Sequence, residues 1–205
     1  MDKFTKVTGV AVPLMRQNVD TDLIIRIDRL VENVGRQGLG PYCFEQIRLR
    51  PDGSEDPDCV LNQVPYRQAP IILSRENFGC GSSREGAVWA LKDFGIKTVI
   101  APYFGDIFNN NCFQNGVLPV ALPIEEIERL ADETTASPGN ARITVDLENC
   151  VVISPTGRTI PFQVDARRQH AMLNGLDDIA QTLAARDEIE AWQARDKAAR
   201  PWVWL

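Results

Sequence analysis

The sequence predicts an α/β protein with a mixed sheet and flanking helices, and three observations predict it. Between Ala69 and Leu122, short apolar runs alternate with helix-spaced segments, the order that builds parallel strands. Ala141–Gln163 reads instead as two or three antiparallel strands turned at Pro155-Thr156-Gly157. Of 205 residues, 44% are hydrophobic and 24% charged, which suits one large domain with a sizeable core.

Taken in order, Lys6–Leu14 reads as a strand, with Val7, Val10 and Val12 as its apolar positions and Pro13 as its end. Asn18-Val19-Asp20-Thr21-Asp22 is a polar turn ahead of Leu23-Ile24-Ile25. A long surface loop follows over about residues 26–58. Its Gly, Pro, Asp and Arg content is heaviest from Gly35 to Asp58, around one short helix near Tyr42–Ile47. A loop of that length inside a compact domain is uncommon and often functional.

Ala69–Ser74 is apolar and partly β-branched, fit for a buried strand. Asn77–Ser83 is Gly-rich, and Arg84–Phe94 has helical spacing, with Ala87, Leu91 and Phe94 on one face and Gly95 as a stop. Ile96–Ala101 gives a strand ended by Pro102, Phe104–Phe113 a short helix ended at Asn115-Gly116, and Val117–Leu122 a further strand. Ile124–Glu133 reads as a helix, Thr134–Asn140 as a small-residue linker, and residues 167–200 as a helical C-terminal extension. No internal repeat divides residues 1–205, so a single domain is expected.

Composition narrows the function. The longest apolar runs fall far short of the roughly 20 residues that cross a bilayer. Met1–Lys6 lacks the layout of a secretory signal, so a cytoplasmic chain is expected. Lys plus Arg total 22 against 28 Asp plus Glu, a net charge of −6, which argues against nucleic acid as a partner. Five cysteines (Cys43, Cys59, Cys80, Cys112, Cys150) are scattered without C-x-x-C spacing, and His170 is the only histidine. Neither a disulfide framework nor a metal site is expected in this chain, and any metal chemistry has to come from a partner.

Asn77-Phe78-Gly79-Cys80-Gly81-Ser82-Ser83-Arg84-Glu85 carries the strongest site signal, placed between a strand and a helix. Its glycines let the backbone turn sharply and approach a ligand. A helix start presents unpaired N–H groups and favours negative charge. Ser82 and Ser83 put hydroxyls at that point, and Arg84 can grip a carboxylate. Together they describe an anion site that could also stabilise a serine alkoxide. The plainer alternative is that Ser82 or Ser83 is an N-cap and Arg84 a solvated side chain. The pattern is neither a P-loop nor a dinucleotide fingerprint nor a G-x-S-x-G elbow.

This segment resembles the signature of the swivelling domain of the aconitase superfamily, and most specifically the small-subunit family of the 3-isopropylmalate dehydratases. The resemblance covers nearly the whole chain. It takes in Asn18–Asp22, Pro57–Asn62, Arg75–Glu85, Ala101–Asn111, Asn115–Pro119 and Leu173–Ile179, in the family's order. It implies an aconitase-type swivelling β/β/α domain and a hydro-lyase that isomerises 2- and 3-isopropylmalate in leucine biosynthesis. It implies a large-subunit partner, in a heterodimer or heterotetramer, that holds a [4Fe–4S] cluster acting as a Lewis acid. By the same resemblance Ser82 is the catalytic base, and the amides of Gly81, Ser82 and Ser83 steady charge. Arg84 binds a carboxylate of a dicarboxylate substrate. This chain alone is then expected to be inactive.

Asp20 and Asp22 have two open readings: a turn with Asx-type hydrogen bonds, or, by resemblance, a place for Asp22 near the active site orienting an arginine or the serine loop. Cys80 reads as a small buried filler, Cys112 and Cys150 as core, and His170 as structural or superficial. Arg26-Ile27-Asp28-Arg29-Leu30, Phe44–Arg48 and Gly86 depart from the family's usual residues. Arg26 and Arg29 are either extra carboxylate ligands or solvated loop charges. With the former, a tricarboxylate such as homoaconitate or another alkylmalate (citramalate, dimethylmalate) would fit, and a paralogous hydratase subunit for one of these is the alternative within the enzyme class. A non-catalytic dicarboxylate-binding module is the alternative outside the enzyme class.

Overall fold

The computed structural model describes residues 1–32, 35 and 37–204, so the loop expectation at Asn33, Val34 and Arg36 lies outside the described residues. Its strands are β1 (Lys6–Pro13), β2 (Ile71–Leu73), β3 (Thr98–Ala101), β4 (Leu118–Ala121), β5 (Arg142–Asp146), β6 (Val151–Ile153) and β7 (Thr159–Pro161). They form one sheet in the order β4-β3-β2-β1-β5-β6-β7. The first four pair in parallel, and β5–β7 continue antiparallel. β1 joins the two halves: Ala11–Pro13 pair with β2 and Lys6–Val10 with β5. The expected parallel core and antiparallel segment are thus one mixed sheet.

The helices are α1 (Thr21–Ile24), α2 (Ile27–Glu32), α3 (Glu45–Arg48), α4 (Glu85–Phe94), α5 (Asp106–Asn115), α6 (Ile124–Ala136), α7 (Ala166–Asn174), α8 (Asp178–Ala184) and α9 (Arg186–Ala199). Every residue of β2 and β3 is buried, as befits parallel strands covered on both faces. Val12, Ile72 and Val99 face one core, built with Ala87, Val88 and Leu91 of α4 and Phe108 and Cys112 of α5. Ile71, Leu73 and Ile100 face the other, against Ile127 and Leu130 of α6 and Met172 of α7. The period-two alternation of the strands therefore sorts the helices into two layers.

Several expectations change. Residues 26–58 are not a bare surface loop: they hold α2, α3 and a 3-10 turn at Gly40–Tyr42, and Leu39, Cys43 and Phe44 have no exposure at all. Single anchors hold this segment to the far end of α4. The Gly40 amide donates to Asp93 Oδ2 at 2.7 Å. The Arg48 guanidinium donates to the carbonyls of Cys43 and Pro41, both at 2.7 Å, and lies 4.7 Å from the centroid of the Phe94 ring. The helix expected at Phe104–Phe113 starts at Asp106, because Phe104 is extended and bridges Phe78. α6 runs to Ala136, into the expected linker, because its buried face of Ile127, Leu130 and Ala131 continues to Thr134, whose hydroxyl is satisfied on the Leu130 carbonyl. The C-terminal extension is three helices and a 3-10 turn at Pro201–Val203, and α8 and α9 bury no residue. Among the described residues no helix is long and apolar enough to cross a membrane.

Candidate active site

The exits of β1, β2 and β3 lie at the carboxyl ends of parallel strands, where open α/β sheets form binding crevices. The segment after β2 is laced to the exit of β1 on one side. Arg75 N donates to Arg16 O (3.0 Å), Asn18 N to Glu76 O (2.9 Å), Gly79 N to Val19 O (2.7 Å) and Thr21 N to Cys80 O (3.0 Å). On the other side Phe78 N donates to Tyr103 O (3.3 Å) and Gly105 N to Phe78 O (3.0 Å). Asn77 Nδ2 adds a 2.8 Å bond to Asn18 Oδ1. The serine loop thus has its backbone paired on both flanks rather than left to water.

Two glycines make the close approach possible. Gly79 has φ +72°, and a Cβ there would stand 2.1 Å from Phe108 Cγ. A Cβ on Gly105 would stand 2.5 Å from the Gly79 carbonyl oxygen. Beneath them Phe78 is fully buried, with ring centroids 5.5 Å from Phe108 and 6.4 Å from Phe104. The chain then emerges: Gly81, Ser82 and Ser83 are all exposed. The Ser82 carbonyl is nevertheless pinned, because the buried Thr21 donates its Oγ1 to it at 2.9 Å. Thr21 was not singled out from sequence, and its position between two aspartates was the sole signal available.

The plainer sequence reading of this loop fails at the helix start. α4 begins at Glu85, so Arg84 rather than either serine occupies the N-cap position, and its side chain makes no capping bond. Ala87 N returns to Arg84 O at 3.2 Å, while the amides of Glu85 and Gly86 have no partner among the described residues, with the helix dipole behind them. Nor is Arg84 simply solvated. Its side chain is 17% exposed and its Nη1 donates to Asp22 Oδ1. The two aspartates divide the roles open to them. Asp20 caps α1, accepting from Leu23 N at 2.6 Å, while Asp22 holds Arg84 and accepts from Gln46 Nε2 on its backbone oxygen at 3.0 Å.

The structure therefore brings Gly81, Ser82, Ser83, Arg84 and Asp22 together. Arg26 is engaged with other partners: its Nε and Nη2 form a two-pronged contact with Asp28 at 3.1 and 2.7 Å, and its Nε stands 3.7 Å from Glu45 Oε1. Arg29 pairs with Glu45 and Glu32 and lies over Tyr42. Both arginines line a shallow cleft with Glu45, Gln46, Leu49 and Arg50. Cys80 is half-buried rather than buried, and burial and then the Asp20 carboxylate push its thiol up, which leaves it a poor nucleophile. Cys112 is fully buried, Cys150 is half-buried, and His170 is exposed on α7. All five cysteines are free thiols. Among the described residues no three His, Cys, Asp or Glu side chains converge, so this chain's donor set does not fit an iron–sulfur cluster.

In chemical terms the loop offers an exposed hydroxyl on a fixed backbone, amides from an uncapped helix and a guanidinium whose Nε–Nη2 edge faces no partner among the described residues. That set can bind a carboxylate and stabilise negative charge on an oxygen.

A family model described as the aconitase C-terminal domain matches residues 1–125, and one described as LeuD_N matches residues 128–166. The 3-isopropylmalate dehydratase small subunit of Dinoroseobacter shibae is 53% identical over 203 residues, 99% of this chain and 100% of that protein. Its counterpart in Gluconacetobacter diazotrophicus is 53% identical over 202 residues, 98% of this chain and 97% of that protein. Among solved structures, the 3-isopropylmalate dehydratase LeuD of Methanocaldococcus jannaschii superposes with a TM-score of 0.65. It is 26% identical, over 92% of this chain and 99% of that one.

Proposed function

Because the chain belongs to the small-subunit family of 3-isopropylmalate dehydratase, a hydro-lyase of leucine biosynthesis, we propose that Ser82 is the base that moves its substrate's proton. Ser82 Oγ takes the proton from the carbon next to the one bearing the hydroxyl. The electron pair of that C–H bond becomes the second bond between the two carbons, and the hydroxyl departs from its own carbon. Return of the proton and of hydroxide, which together make up one water, each to the carbon the other had left, yields the other isopropylmalate.

The groups around Ser82 support the assignment. The amides of Gly81, Ser82 and Ser83 and the uncapped start of α4 stabilise the alkoxide. Arg84 grips a substrate carboxylate through its Nε–Nη2 edge while Asp22 holds Nη1 and sets the plane of the fork. Arg26 has no such edge to give, since Asp28 takes both nitrogens of it, so the grip falls to Arg84. A [4Fe–4S] cluster on the large subunit supplies the Lewis acid for the departing hydroxyl in this reading. The five free thiols suit a cytoplasmic enzyme.

The observation that carries the proposal is an exposed Ser82 on a loop whose backbone is bound on both flanks. The test is turnover of 3-isopropylmalate by this chain mixed anaerobically with its large subunit, with citramalate, dimethylmalate and homocitrate run beside it. Ser82→Ala is expected to lose about 10²–10⁴-fold in kcat while still assembling. Turnover near wild type, or a loss explained by weaker assembly alone, refutes the base. Preference for another acid of the panel refutes isopropylmalate as the substrate.

A further inference from the structure

α2 meets the first turn of α4 at a point with no spare room. Gly86 is buried two residues after Arg84, and Leu30 of α2 lies on its backbone. A Cβ at position 86 would stand 2.6 Å from Leu30 Cδ2, 2.7 Å from Cδ1 and 3.2 Å from Cγ. Non-bonded carbons settle at about 3.5–4.0 Å, so even a methyl group there is short of space by about 1 Å. Glycine inside a helix weakens it, and Gly86 is not among the glycines with positive φ, so the backbone gives no reason for it. The reason is the space that Leu30 occupies.

That contact closes a ring around the arginine. α2 is joined to α1 by two residues, and Ile25 is buried with its amide on Thr21 O at 3.0 Å. α1 carries Asp22, which holds Arg84, and Arg84 is followed by Glu85 and Gly86 in the first turn of α4. Arg29 ties α2 to Glu45, so α2 has little freedom to slide aside. A Cβ at position 86 has to displace the Leu30 methyls, and the part of that push that Leu30 does not absorb by turning falls on the elements that carry Arg84 and Asp22.

We propose that Leu30 and Gly86 are a fitted pair of positioning residues that sets the seating of α2 on α4 and thereby the placement of Arg84. The inference rests on the reading of Arg84 as the carboxylate grip. Neither residue touches substrate.

The test compares Gly86→Ala, Leu30→Ala and the double variant, each reconstituted with the large subunit, in KM, kcat and Tm. A displacement of about 1 Å at a site can cost about 10²-fold. Gly86→Ala is accordingly expected to lower kcat/KM about 10- to 100-fold, mainly through KM. Leu30→Ala added to it should restore most of the KM. Should Gly86→Ala fail to fold, Leu30→Phe presses on the same contact from α2 and should raise KM alike. An unchanged KM with a lowered Tm, or a double variant no better than Gly86→Ala, overturns the proposal. Arg84→Lys in the same series separates the two ideas. An unchanged KM there sinks the Arg84 grip, whereas a raised KM there with Gly86→Ala unaffected sinks only the fitted pair.

Discussion

Gly79→Ala should damage the protein more than any other single methyl added to the serine loop. Two separate effects act at that position. Its φ of +72° costs an L-residue about 1–2 kcal/mol. The new methyl would also lie 2.1, 2.3 and 2.6 Å from Phe108 Cγ, Cδ1 and Cβ, atoms fixed by a ring packed between Phe78 and Phe104. Overpacking of that kind costs about 1–3 kcal/mol more. Gly81→Ala provides the internal control, because Gly81 has φ +86° but only a 3.4 Å approach to Asp20 Cβ. It should show the backbone penalty alone. Urea denaturation of both variants is the assay. Gly79→Ala is expected to lose about 2–5 kcal/mol, and Gly81→Ala about 1–2. Such a loss lowers the Tm of a domain of this size by roughly 4–20 °C. If Gly79→Ala is no less stable than Gly81→Ala, the close approach of loop and ring has been misread.

Two further outcomes follow from contacts elsewhere. Burial works to raise the Asp146 carboxyl, but the Lys6 ammonium at 2.8 Å and two bonds from Asn149 outweigh it and hold its pKa at about 2. Set against the usual 3.8, that depression contributes about 2 kcal/mol above pH 4, lost as pH falls from about 4 to 2. Denaturant titrations from pH 6 to pH 2 should show that loss in the wild type and a flatter curve in Asp146→Asn. Thr21→Val removes the one side-chain donor to the Ser82 carbonyl at nearly constant volume. Stability should drop by about 1 kcal/mol, and kcat in the reconstituted enzyme should fall several-fold; unchanged kcat would mean that the serine loop is set without Thr21.

The sheet and its layers were legible because their signal is repetitive. Ile71-Ile72-Leu73 and Thr98–Ala101 are apolar along their whole length, as strands buried on both faces must be. The serine loop was legible because its chemistry is compact in sequence, with Gly79, Gly81, Ser82, Ser83 and Arg84 all within six residues. Residues 26–58 were not, because what holds them follows no period: Leu39, Cys43 and Phe44 enter the core at irregular spacing, one amide sits on Asp93, and one guanidinium sits on two carbonyls. For Arg26 the sequence left two readings open, an extra carboxylate ligand or a solvated loop charge, and its pairing with Asp28, two residues away, is a local contact that no periodic signal announces. Gly86 had no account in the sequence because its neighbour, Leu30, is 56 positions earlier.

The site's construction bears on why such a reaction is shared between chains. Ser82 is carried on a rigid mount: its carbonyl is bound by Thr21, and the residues before it are bound to Val19, Tyr103 and Gly105. Rigidity is what keeps the loop's amides and Arg84 aimed at one place without reorganisation. Shelter is a separate requirement, and this chain does not meet it, since Gly81, Ser82 and Ser83 all face solvent. In water the attraction between an alkoxide and nearby dipoles is screened several-fold relative to a closed site. A base built this way gains its strength only when a second surface expels the water above it. The proposed activity therefore belongs to the assembled enzyme, and the isolated chain, although folded and correctly arranged, is expected to turn over no substrate.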